Sequence, residues 1–175
     1  MYRQILDEWE KLLPQGGEIH QLEGNHEGRL TRYVWAQARE ISRAVKPLSE
    51  LLGLTSKKVK YKWHPLTVWT SCKIGDCILH HGHYYNQHVA QANLTRYPSK
   101  LITGHTHRFQ FVSNGEKFSA TLGHGSNETM TAHTPVPTSW QQAFGILTVI
   151  GSTSYLEPVL VTNGKAVVYG DIISG

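Results

Sequence analysis

The stretch Leu101-Ile102-Thr103-Gly104-His105-Thr106-His107-Arg108 decides how this chain is read. Three aliphatic or β-branched residues run into a glycine, and two histidines and an arginine follow at once. A buried strand that stops at a glycine hands its next residues to a loop, and reactive side chains gather at such strand ends because a rigid strand positions the loop. Two other segments have the same build. Gly24-Asn25-His26-Glu27 follows a short strand pattern at Ile19 and Leu22, and His80-His81-Gly82-His83 follows Cys77-Ile78-Leu79. Imidazole nitrogens and amide oxygens bind borderline and moderately hard divalent ions such as Zn, Mn, Fe, Ni and Co, so three clusters at three strand ends point to a metal site. His105 and His107 would point the same way in an extended segment, whereas a tight loop would let them serve two adjacent ions. Gly24, Gly82 and Gly104 allow the backbone to come close to such ligands.

Outward from these clusters, Ile5, Leu6, Trp9, Leu12 and Leu13 recur at helical spacing up to Pro14-Gln15-Gly16-Gly17. From Arg29, the residues Leu30, Tyr33, Val34, Ala38, Ile41 and Val45 mark one apolar helical face ending near Pro47, with Arg32, Arg39, Arg43 and Lys46 on the solvated side. A second helical piece covers Leu48 to Leu54, and Thr55 to Lys62 reads as a polar connection whose lysines, 57, 58, 60 and 62, are a solvated edge. Strand formers at Thr67 to Thr70, a turn at Gly75-Asp76 and a return through Cys77-Ile78-Leu79 predict a hairpin. Asn86 to Tyr97 is helix-like. After Arg108 the pattern is β: 109–112, 118–122, 144–150, 155–161 and 166–172, with Asn114-Gly115 and Asn163-Gly164 as turns. Residues 123–139 form a long loop containing Pro135 and Pro137, of a length that is often functional.

A chain of 175 residues predicts one domain with a real core. The net charge of +4 favours anionic partners without naming nucleic acid. Cys72 and Cys77 make no disulfide framework, which suits a reducing compartment. Neither a secretory leader pattern nor an apolar run long enough for a bilayer is present, so a cytoplasmic protein is expected. His20, His64, His88, His124 and His133 read as surface or hydrogen-bonded loop residues, and Gly123-His124-Gly125-Ser126 lacks the lysine of a phosphate-cradling loop.

Gly24-Asn25-His26-Glu27, His81-Gly82 and Gly104-His105-Thr106-His107 resemble, in order and spacing, the last three motifs of the calcineurin-like metallophosphoesterases. The resemblance runs from about Glu18 to Arg108 and implies an α/β fold, a four-layer α-β-β-α sandwich, with residues 1–175 as the C-terminal portion of one such domain. It implies two divalent ions, one held by Asn25, His81 and His105 and the other by His107. It further implies that His26 protonates the leaving group with Glu27 orienting it. His80 and His83 flank the ligand His81 and Arg108 follows His107; His83 and Arg108 are the candidates for contact with a substrate phosphate, with His80 as the other histidine that could take that place and a hydrogen-bonding role behind the ligands as the alternative.

Members of that family begin with Asp-x-His and Gly-Asp-x-x-Asp motifs, the latter supplying the aspartate that bridges both ions. Neither occurs in these 175 residues, so the expectation is a chain truncated at its N-terminus that keeps one good metal position. Three functions follow as expectations. The first is hydrolysis of phosphate mono- or diesters; the others are a catalytically silent binding module, and a nuclease or nucleic-acid-binding relative.

Overall fold

The computed structural model describes residues 2–66, 71–126 and 139–174. The strand expected at Thr67 to Thr70, and His133, Pro135 and Pro137 of the long loop, lie outside the described residues. The chain divides into two compact units, Met1–Thr70 and Ser71–Gly175. No helix among the described residues is long and apolar enough to cross a membrane.

The first unit opens with α1 (Tyr2–Leu12), whose Leu6 is buried against Ile19 and Val59, with Leu13, Leu54 and Tyr61 around them. Gly16, at φ +79°, turns the chain into β1 (Glu18–Leu22). Helix α2 (Gly28–Gln37), a single 3-10 turn at Arg39–Ile41 and α3 (Leu48–Leu51) then lead to β2 (Lys60–His64). Strands β1 and β2 pair in parallel, Glu18 opposite Lys60 and Leu22 opposite His64.

Two expectations are corrected here. The helix read from Arg29 to Val45 stops at Gln37, where Ala38 swings to φ −150°. Helices of this length depend on packing more than on propensity, and the supposed apolar face is covered only in part: Val34 is buried, whereas Tyr33 and Ile41 are exposed. The segment read as a polar connection, Thr55 to Lys62, runs into β2. There Tyr61 and Trp63 alternate with Lys60 and Lys62, a period of two masked by its charge.

In the second unit β3 (Cys72–Ile74) and β4 (Cys77–His80) form the expected hairpin around Gly75-Asp76. Helix α4 (Val89–Arg96), β5 (Lys100–Thr103), β6 (Gln110–Asn114) and β7 (Lys117–Thr121) follow, giving a five-stranded sheet in the order β3-β4-β5-β7-β6. Strand β5 is flanked by parallel neighbours, β4 and β7. Its alternation separates two faces. Cys77, Ile102, Phe118 and Ala120 bury one face against Leu147 and Leu156 of the long antiparallel pair β8 (Gln142–Ile150) and β9 (Thr153–Val161). Burying each large apolar side chain in such a layer stabilises by roughly 1.5–3 kcal/mol. Leu101, Thr103, Ser119 and Thr121 alternate onto the other face, on the side of α4, whose Val89, Ala90, Asn93 and Leu94 are buried. The architecture is thus mixed α/β.

The last expected strand, 166–172, is instead a hairpin of β10 (Lys165–Val168) and β11 (Asp171–Ser174). Its two-residue turn, Tyr169-Gly170, has φ of +51° and +89°. Positive φ at both positions matches the right-handed strand twist and makes a tight hairpin despite the unfavourable tyrosine.

Candidate metal centre

Because β4 and β5 pair in parallel with His80 opposite Thr103, the residues that follow them leave the sheet side by side. His81 accepts at its carbonyl from the backbone N–H groups of both Gly104 and His105, at 3.0 and 2.9 Å, so the two loops are stitched together. Gly82 makes the close approach feasible with φ +112°. The imidazoles then meet edge to face, centroids 4.7 Å apart, with His105 Nδ1 and His81 Nε2 separated by 2.8 Å. Tyr85 packs its ring 4.8 Å from His105. At 2.8 Å one ring N–H donates to the nitrogen of the other; with that proton lost, the same two half-buried nitrogens at the ends of adjacent parallel strands could be turned to a borderline divalent cation.

His80 points the other way, into the protein. It is buried beside Tyr97 and stacks on His83 with centroids 5.3 Å apart. Neither ring nitrogen has a hydrogen-bond partner among the described residues. Burial, with the charge of His83 adding to it, holds its pKa down to about 4, so the ring is neutral at pH 7. His80 is thus a buried neutral imidazole, and its stacking partner His83 is half-buried.

After His105 the chain turns sharply. His107 sits at φ +57° with its N–H bonded to the Gly104 carbonyl, and Thr106 Oγ1 lies 3.3 Å from Thr121 Oγ1. The turn separates the two histidines: His105 meets His81, while the His107 ring lies 5.5 Å from that of His124 and 4.6 Å from that of Trp140. The tight-loop alternative therefore describes this segment. Arg108 follows half-exposed. His124, expected as a surface or hydrogen-bonded loop residue, is half-buried beside His107 and hydrogen-bonded to Ser126 Oγ at 2.8 Å. It lies just beyond β7, the other parallel neighbour of β5, so it too occupies a strand end.

Asn25, His26 and Glu27 belong to the first unit and follow β1 in a turn that opens α2. The Glu27 carboxylate accepts the Gly24 N–H at 2.9 Å, and Arg32 donates to the Asn25 carbonyl at 2.6 Å, bracing the turn from both sides. His26 is exposed, with Arg29 3.4 Å from its Nε2. Upstream on β1, His20 Nε2 lies 2.8 Å from Glu18 Oε2, which also accepts from Lys62 at 2.8 Å. Since a carboxylate only accepts, His20 donates to it through Nε2 and uses Nδ1 to accept from His64 Nε2, 3.1 Å away. Lys62 first and His20 second hold the Glu18 carboxyl down to about 2. His20 and His64 are thus hydrogen-bonded strand residues.

No family model matches the chain, and no curated protein does. Among solved structures, a single mutant of Vps29 from Entamoeba histolytica aligns over 90% of this chain and 97% of its own, with 14% identity and a TM-score of 0.43. A double mutant of the same protein aligns over 93% and 95%, with 16% identity and a TM-score of 0.39.

Proposed function

We propose that the chain is a metal-dependent phosphoesterase of the calcineurin-like kind, hydrolysing phosphate mono- or diesters in a four-layer α-β-β-α sandwich. The observation that carries this reading is the facing pair His81 Nε2 and His105 Nδ1, 2.8 Å apart at the ends of parallel strands. Asn25 would join them on one ion, and His107, turned away from His105 by its positive φ, would serve a second. A divalent ion bound there supplies a Lewis acid for the phosphoryl oxygen and a water of lowered pKa. His83 and Arg108 would hold the non-bridging phosphate oxygens. Arginine suits that task because its planar fork of donors matches phosphate geometry. His26 would give its proton to the departing alkoxide, presented by a turn that Glu27 closes through Gly24. A net charge of +4 supports an anionic substrate, nucleic acid included, and a cytoplasmic setting is in keeping with a count of two cysteines.

A second reading is favoured by one specific observation: the 175 residues contain neither Asp-x-His nor Gly-Asp-x-x-Asp. Without a bridging carboxylate the same histidines would bind a metal or a phosphate group without turning it over, and the chain would act as a binding module. Turnover of bis-p-nitrophenyl phosphate with added Mn²⁺ separates the two. Metal-dependent hydrolysis that disappears in His81→Ala supports the esterase; metal binding with no hydrolysis supports the module; absence of metal binding removes the esterase, and absence of binding to both metal and inorganic phosphate removes the module. Duplex DNA affinity that falls steeply with added salt would point to a nucleic-acid substrate, because phosphate contacts release counterions.

A further inference from the structure

We propose that His124 is a metal ligand and forms, with His107, a second divalent-cation position that Trp140 closes over. The proposal rests on the reading of His107 as a ligand and extends it to a residue outside the motifs that suggested it.

Three features build the site. The backbone ties its members together: Gln141 donates to the His107 carbonyl at 3.0 Å, and His124 donates to the Gln141 carbonyl at 3.0 Å. One residue of β8's approach thus fixes the spacing of the two histidines. The rings are then 5.5 Å apart with a 42° tilt, a spacing at which a common ion would fit between a nitrogen of each. Finally, His107 takes up φ +57°, a conformation that a non-glycine residue adopts at a cost and keeps only where its surroundings enforce it.

The polar contact of His124 has the form expected of a ligand. Its Nδ1 lies 2.8 Å from Ser126 Oγ. A metal-bound histidine characteristically uses its second ring nitrogen for such a bond, which fixes the tautomer and orients the ring. The ligating nitrogen is then Nε2, which is screened from solvent. Trp140 lies edge-on to both imidazoles, 4.6 Å from His107 and 5.7 Å from His124. Borderline ions such as Zn²⁺ suit two imidazoles completed by water or by a phosphate oxygen. With only two protein donors the position should bind more weakly than the one formed by His81 and His105 together with a third ligand.

The test is a Zn²⁺ titration of the whole chain followed through the imidazole resonances of the individual histidines. The expected result is two phases, His81 and His105 moving in the first, His107 and His124 moving together in the second. His124→Asn should weaken the second phase by more than the roughly 10- to 100-fold that altering a mere outer-shell partner costs, and leave the first in place. An unmoved His124 resonance while His107 responds would overturn the proposal, and so would an unchanged second phase in the variant. The wild-type titration decides the matter even if the variant does not fold. Loss of the first phase with the second intact would instead count against the role given to His81 and His105 and leave the His107 and His124 pair standing.

Discussion

A β-carbon built on Gly82 would lie 2.9 Å from the β-carbon of His105. Gly82 also has φ +112°, where side-chain-bearing residues rarely go. The residue therefore sets how closely the loops after β4 and β5 approach, and through them how His81 faces His105. Gly82→Ala should cost about 1–3 kcal/mol of stability through backbone strain, read as a lowered urea midpoint, and should weaken Zn²⁺ binding at the same time. A variant with normal metal affinity would mean that the two histidines are not positioned by this contact.

The same pair governs stoichiometry. After dialysis against metal-free buffer the chain should retain at most one divalent ion, because the proposed ligand sets give three protein donors, Asn25, His81 and His105, to one ion and two, His107 and His124, to the other. Elemental analysis should find that ion lost in His81→Ala and in His105→Ala, with the far-ultraviolet circular dichroism unchanged. Two firmly retained ions per chain would show that the second position is far stronger than its donors suggest.

Much of this was legible in the sequence because strand ends announce themselves. Glycine after an aliphatic run located the loops at Gly24, Gly82 and Gly104, and the parallel pairing of β4 with β5 is what brings His81 against His105. What escaped was information carried by tertiary contacts. Lys60 and Lys62 hid a strand because lysines on the solvent side of a pleat look like a linker, and the helix after Arg29 ended early because nothing covers Ile41. His107 and His124 stand 17 residues apart in sequence, so their ring contact and the Gln141 backbone bonds that tie them are tertiary information too.

The opposite end of the sheet carries a pH-dependent clamp. Lys100, buried at the start of β5, donates to the Ser154 carbonyl at 3.0 Å and pairs with Asp76 at 2.9 Å, while Asp76 accepts the Ser154 N–H at 2.7 Å. Lys100 first, and then the Ser154 N–H, hold the Asp76 carboxyl down to about 2. A depressed carboxylate pKa means that the unfolded chain takes up its proton first, near pH 4 for an aspartate. The clamp's contribution is therefore complete above about pH 4 and disappears as pH falls toward 2. Urea midpoints of the wild type and Asp76→Asn should differ at pH 6 and converge near pH 2. A constant gap across that window would show that the carboxylate's charge is not what Lys100 needs.

The last prediction concerns His26, whose ring is exposed beside Arg29 and stands in a turn braced by Glu27 and Arg32. A histidine acting as general acid must reach the leaving oxygen without binding the metal, and imidazole is the side chain suited to proton donation near neutrality. His26→Asn should therefore keep its metal content. In a preparation that hydrolyses aryl and alkyl phosphodiesters, the substitution should cost about 10²- to 10⁴-fold with poor leaving groups, the usual worth of general acid catalysis. The deficit should shrink toward nothing for p-nitrophenolate, which departs without protonation. Arg29 supplies a control, since Arg29→Gln removes the neighbouring charge but no proton donor and should leave the leaving-group dependence intact. Loss of metal in His26→Asn would make the residue a ligand, and an equal loss of rate for good and poor leaving groups would make it a structural element of the turn.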